Sequence, residues 1–120
     1  MKTKLLFNSR DELVAIDFDN VAVVQADGNY SRVVFINKHE VNLAIGINKL
    51  SEMLRKAKFE NAFFVKIGRS LLVNQAFLER IDLQKQQITL TDKGAAAIRS
   101  SVTKNVLKAY KNFVSENYRI

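Results

Sequence analysis

The chain has no cysteine, no proline and no tryptophan, and only one histidine and four glycines in 120 residues. Without cysteine there is no disulfide framework, no thiol nucleophile and no thiolate-bound zinc or iron–sulfur centre. A single histidine, His39, excludes a histidine-cluster metal site. Gly28, Gly46, Gly68 and Gly94 are scattered, so no glycine-rich phosphate loop exists. No apolar run approaches the roughly 18–20 residues needed to span a bilayer. The opening Met-Lys-Thr-Lys-Leu-Leu-Phe-Asn has too short an apolar stretch for a signal peptide. Nor is there a Pro/Gly-rich linker, low-complexity tract or internal repeat. What remains is expected to be a single soluble domain over residues 1–120 in a reducing, cytoplasmic compartment, with no membrane partner. At 48% apolar residues it is long enough to bury a core.

Nineteen Lys and Arg face twelve Asp and Glu, a net charge of +7. The excess is unevenly placed. Up to Leu54 there are six basic and seven acidic residues; from Arg55 onward there are thirteen basic and five acidic. A polyanion suits such a surface, because neutralising phosphates releases counterions and drives binding without a shaped pocket. Solubilising lysines alone would give the same composition.

Period-2 patterns dominate the chain. Leu13–Ile16 reads as a strand, and Asp17-Phe18-Asp19-Asn20 interrupts it with turn-forming side chains. Val21–Ala26 is a β-branched run, hence a strand. Asp27-Gly28-Asn29 supplies a tight hairpin turn, and Tyr30–Ile36 returns as its partner. His39–Ile45 completes an antiparallel meander. Ile47, Leu50, Met53, Leu54 and Ala57 then recur on one helical face, with Asn48 as a candidate N-cap. Strand character resumes at Phe63–Ile67, breaks at Gly68-Arg69-Ser70, and continues in Leu71–Asn74. Phe77–Leu83 alternates only partly. Gln87–Thr91 alternates cleanly with Ile88 and Leu90 inward, and Asp92-Lys93-Gly94 turns into an expected last strand at Ala95–Arg99. Val102, Val106, Leu107, Tyr110, Phe113 and Val114 define a terminal helix over about 103–118, with Thr103 or Ser101 as N-cap. Its apolar face needs a cover, either the sheets or a second copy of the chain.

Enzyme chemistry finds no footing. His39 sits beside a hairpin turn, where a solvated role is expected. Asp17 and Asp19 have no further acidic ligands in their segment, and turn formation explains them. No nucleophile, base and oxyanion site assemble. The chain is expected to have no catalytic residues, no metal and no cofactor.

One cluster fits nucleic-acid contact: Phe64-Val65-Lys66-Ile67-Gly68-Arg69-Ser70-Leu71-Leu72-Val73-Asn74. A basic break between two apolar strand segments places donors on a loop anchored by a sheet. Arg69 suits bidentate contact to guanine or phosphate, and Ser70 with nearby backbone N–H groups suits phosphate oxygens. An ordinary strand connection with a solvated arginine is the plainer alternative.

These residues resemble the LytTR-type DNA-binding domain, the output module of LytR/AlgR-type bacterial response regulators. That family's central signature runs approximately Phe-x-Arg-Ile-His-Arg-Ser-x-x-Val-Asn; here Phe64, Lys66, Ile67, Gly68, Arg69, Ser70, Val73 and Asn74 occupy it. The family's upstream Ile-x-x-Ala/Glu-x-x-Asn-Tyr hairpin is matched by Val24, Ala26, Asp27, Gly28, Asn29 and Tyr30. The likeness covers about Leu13 to Lys108.

The resemblance implies a mainly β fold of elongated antiparallel β-sheets, with one short internal helix and a C-terminal helix. It implies transcription regulation by sequence-specific binding of double-stranded DNA, with loops inserted into the major groove. Three groups of contacts follow from it: Asn29, Tyr30, Ser31 and Arg32; Lys66, Gly68, Arg69 and Ser70; and Arg99, Ser100, Ser101 and Lys104. Gly68 departs from the family's commoner His, and Arg99-Ser100-Ser101 departs from its Ser-Arg-basic order. Val73 is expected in the core, and Asn74 to satisfy backbone at a strand end. The resemblance further implies a receiver domain in a two-component system, which this chain does not contain, and a homodimer on DNA. Two other readings stay open: an RNA-binding β domain, which needs aromatics exposed on one sheet face, and a protein-interaction module without nucleic acid.

Overall fold

The computed structural model describes residues 4–94 and 97–117. The chain divides into two compact units, with the boundary between Ala76 and Phe77. It is mainly β, as expected: ten strands and two α-helices among the described residues, with every strand pairing antiparallel.

The first unit is built on a five-stranded sheet. Its strands are β3 (Val21–Asp27), β4 (Tyr30–Phe35), β5 (Glu40–Leu43), β6 (Phe64–Ile67) and β7 (Leu71–Asn74), in the order β5-β4-β3-β7-β6. The β-branched run Val21–Val24 holds the centre because both its faces are covered; each of its four residues is at most 1% exposed. A two-stranded ribbon of β1 (Leu5–Asn8) and β2 (Leu13–Ile16) packs Leu5, Phe7, Val14 and Ile16 into the same core.

Helix α1 (Ile47–Lys56) lays Ile47, Leu50 and Leu54 over Val24, Val33, Leu43 and Leu72. Full burial of each such side chain contributes about 1.5–3 kcal/mol. The helix starts at Gly46, whose extended backbone supplies the N-cap with no side-chain cap bond. Asn48 is therefore inside the helix and not its cap. The helix stops where Ala57 turns extended, its N–H still bonded to Met53 O.

Phe18 is fully buried, with the rings of Phe7, Phe59 and Phe64 at 5.8–6.2 Å in edge or tilted contact. The Asp17–Asn20 segment is more than a turn. Asp17 Oδ1 accepts from Asp19 N–H, as turn chemistry requires. Asp19, 7% exposed, reaches a distant loop: its carboxylate accepts from the N–H groups of Glu60, Asn61 and Ala62 at 3.4, 3.0 and 2.8 Å. The turn explanation thus fails for Asp19. Asn74 is fully buried and satisfies backbone on three segments, accepting from Phe63 and Ala76 N–H and donating to Val21 O. Val73 is fully buried, as its place in the pattern implies.

The second unit carries a three-stranded sheet, β10-β9-β8, from β8 (Leu78–Asp82), β9 (Gln87–Leu90) and β10 (Ile98–Ser101). Ile88 and Leu90 are fully buried, matching their alternation. The partial alternation of β8 has a cause: a bulge between Leu78 and Arg80 sets two residues, Glu79 and Arg80, against Thr89. Leu78 and Ile81 both stay paired with inward residues although they lie three positions apart. The last strand begins later than expected, at Ile98, and runs through Ser101. Ile98 sets the register by pairing with Leu90; Ala97 is outside the strand, and Ala95 and Ala96 lie outside the described residues. Helix α2 (Lys104–Asn117) follows, with Leu107 and Tyr110 buried and Thr103 O accepting from Leu107 N–H at its start. Position 118 of the expected helix lies outside the described residues.

Candidate nucleic-acid interface

Two hairpin tips of the first unit emerge at one end of the five-stranded sheet. The first joins β3 to β4. Asp27 pairs with Tyr30 and closes a two-residue turn of Gly28 and Asn29. Gly28 sits at φ +61, so positive φ falls on the first central residue, the geometry that follows the strand twist. Asn29 and Tyr30 are exposed, Tyr30 by 53%.

The next two residues are not equally available. Ser31 is fully buried, and its hydroxyl donates to Ile45 O at 2.6 Å. As a surface contact this prediction is corrected: the alternation that turns Arg32 outward turns Ser31 into the core. Arg32 is exposed but engaged. It donates to Gln25 Oε1 across the hairpin and lies 3.8 Å from Glu40 Oε1.

The second tip joins β6 to β7. Ile67 pairs with Leu71 around the three-residue turn Gly68-Arg69-Ser70. Gly68 is at φ +61, a conformation that costs an ordinary L-residue about 1–2 kcal/mol. All three residues are exposed. Arg69 makes no hydrogen bond or ion pair among the described residues. The tip is tied to its neighbour by the main chain, Ala26 N–H donating to Ser70 O at 2.8 Å. Gly28, Asn29, Arg69 and Ser70 are therefore brought together, although about forty residues separate them in sequence.

Lys66 lies one register position from this turn, opposite Leu72 and so on the helix side of the sheet. Its ammonium donates to Asn48 Oδ1 at 2.5 Å. Asn48 is a residue the sequence reading missed in this role. The contact spans eighteen positions between a helix and an edge strand, and no local pattern marks it.

The third group belongs to the second unit. Arg99 and Ser101 alternate outward along β10 and are exposed, as is Lys104 in the first turn of α2. Ser100 is 6% exposed and faces inward, so its side chain is withdrawn from the surface. That contact is corrected by the same alternation as Ser31. Arg80, absent from the expected set, reaches the outer face through the bulge in β8.

Among the described residues, no group of three or more His, Cys, Asp or Glu is placed to hold a metal. No described helix is long and apolar enough to cross a membrane. His39 is exposed, with its ring 5.5 Å from that of Phe35.

Comparison with known proteins bears on this arrangement. The family model for the LytTr DNA-binding domain matches residues 11–112. Among solved structures, the chain resembles the LytTr DNA-binding domain of a putative methyl-accepting/DNA response regulator from Bacillus cereus. The two superpose with a TM-score of 0.61 at 13% identity, over 95% of this chain and 98% of the other. At that identity the likeness speaks for the fold. No curated protein matches the chain.

Proposed function

This chain belongs to the LytTR family of DNA-binding domains, and on that premise we propose that it recognises specific sequences in double-stranded DNA by inserting its hairpin tips into the major groove to regulate transcription. The observation that carries the reading is the pair of tips bonded through Ala26 and Ser70, with the unpartnered Arg69 at their edge. A guanidinium free of internal partners offers its whole fork to O6 and N7 of a guanine, the commonest specific major-groove contact.

Around it, Asn29, Tyr30, Arg32, Lys66 and Ser70 supply donors and charge to bases and phosphates, with Gly68 giving the turn its shape. In the second unit, Arg99, Ser101 and Lys104 serve as phosphate contacts. Ser31 and Ser100 act from within by fixing the strands that carry these groups. The binder works as a homodimer on repeated half-sites, under the control of a receiver domain supplied from outside this segment.

The exposed aromatics count against single-stranded RNA. Tyr30 begins β4 at the tip end of the sheet, whereas Phe63 precedes β6 at the opposite end, so they do not form a stacking platform on one face. Phe7, Phe18, Phe59 and Phe64 are spent in the core.

Selection of bound duplexes from a random library tests the proposal. A recurring sequence with repeated half-sites is expected. Retention of every duplex alike, or preference for single-stranded RNA in a parallel filter-binding assay, would sink it.

A further inference from the structure

We propose that Arg80 and Arg99 grip a single phosphodiester of duplex DNA over Thr89, on the outer face of the second unit's sheet. The inference rests on the DNA-binding reading and adds a residue to it.

Thr89 pairs with Arg80 on one side and Arg99 on the other, so the three form a row across β8, β9 and β10. The bulge makes this row possible. Leu78 pairs with the buried Leu90, and two residues further along an unbroken strand Arg80 would face inward with it. A lone guanidinium there would be costly to bury. The extra residue, Glu79, turns Arg80 outward while Ile81 returns to the core side opposite Ile88.

The row borders a polar depression of about 170 Å³ that Glu79, Asp82 and Lys85 also line. Three cations thus share it with two carboxylates. Neither arginine forms an ion pair or hydrogen bond among the described residues. Asp82 already accepts from Lys85 N–H at 3.0 Å. Thr89, 7% exposed, leaves the space above it to the flanking side chains. Adjacent strands lie about 5 Å apart, so the two arginine stems rise from points roughly 10 Å apart, a gap that two such side chains close onto one tetrahedral anion.

A phosphodiester and a free phosphate share that chemistry. The backbone of DNA is favoured because the outward face continues to Ser101, paired with Gln87 in the next row, and the chain then enters α2 at Lys104. Donors on one strand followed by a cation suit a run of phosphates.

The test is anisotropy titration of a labelled mixed-sequence duplex at several salt concentrations. Arg80→Gln is expected to weaken binding to all duplexes alike and to lower the slope of log K against log salt by about 0.9, the value for one phosphate. An Arg80→Gln/Arg99→Gln double variant is expected to lose little more, since both residues serve one phosphate. Arg80→Lys should retain part of the effect. Thermal midpoints equal to that of the parent chain confirm that the fold is intact.

Unchanged affinity and slope for Arg80→Gln would overturn the proposal. So would fully additive slope losses in the double variant, which would mean separate phosphates. Saturable binding of inorganic phosphate at this row, combined with unchanged DNA binding in the variants, would overturn it in favour of a small anion. Arg69→Ala separates the two layers of argument. If it weakens binding while Arg80→Gln does not, this inference alone fails. If the parent chain shows no salt-dependent duplex binding, both fall.

Discussion

Ala26 N–H donates to Ser70 O across 2.8 Å, and this bond makes one surface out of two hairpin tips. Ala26 precedes the Gly28-Asn29 turn and Ser70 ends the Gly68-Arg69-Ser70 turn. Because the link is main chain to main chain, side-chain changes at either tip leave it in place. Substitutions there therefore read out contacts with a ligand more than loss of structure.

Arg69→Ala is expected to lower affinity for a selected duplex by about tenfold to a hundredfold while leaving the thermal midpoint unchanged. Lys104→Ala should instead weaken selected and unselected duplexes equally and flatten the salt dependence. Titrating both variants against both duplexes checks this. Equal losses on the two duplexes for Arg69→Ala would remove it from base recognition.

Ser31→Ala should behave in the opposite way. It leaves the part-buried Ile45 carbonyl without its hydroxyl donor, at a cost of about 0.5–1.5 kcal/mol in unfolding free energy. DNA affinity of the folded protein should stay at the parent value. Urea denaturation with a parallel binding titration separates the effects, and a binding loss without destabilisation would return Ser31 to the contact surface.

Asp19→Ala removes the acceptor for the N–H groups of Glu60, Asn61 and Ala62. These donors lie in a part-buried to exposed loop but lose a charged acceptor, so the expected destabilisation is about 1.5–3 kcal/mol. Amide exchange at Asn61 and Ala62 should accelerate first. Asp19→Asn keeps one acceptor oxygen and should fall between the two. Unaltered exchange at those amides in Asp19→Ala would refute the clamp.

Gly28→Ala isolates the backbone term. An added Cβ meets nothing within 4 Å, so only the positive φ opposes it. The expected loss is about 1–2 kcal/mol, smaller for Gly28→Asn, since asparagine tolerates this region better. Denaturant midpoints of the two variants give the comparison, and equal midpoints would mean that the turn relaxes to another type.

Much of the fold was legible because its signals are local. The β-branched run Val21–Val24, the Gly28 and Gly68 turns and the Ile47-Leu50-Leu54 spacing each state a backbone preference within a few residues. The errors came where a distant partner intervened. Asn48 resembled a cap, but the chain bends into helix one residue before Ile47, at Gly46, and Asn48 serves Lys66 instead. Ala95–Arg99 reads as the pairing strand because the turn at Gly94 precedes it; among the described residues the pairing runs from Ile98, opposite Leu90, to Ser101, opposite Gln87.

The candidate site was legible to the level of segment and often of residue. Ser31 and Ser100 show the limit. Their types suit phosphate contact, but alternation along a strand assigns every second residue to the core, and the starting parity is set by pairing.

The sequence by itself determined the absence of thiol and histidine-cluster chemistry, the concentration of positive charge after Leu54, and the two turns that carry Asn29 and Arg69. Those depend on composition and on preferences that act within a few residues. Only the tertiary structure decided that the two turns share one end of a sheet, that Asp19 holds the 60–62 loop, and that a bulge turns Arg80 outward beside Arg99. Each depends on which strand pairs with which and in what register, and that is settled by burial and hydrogen bonding across the whole unit.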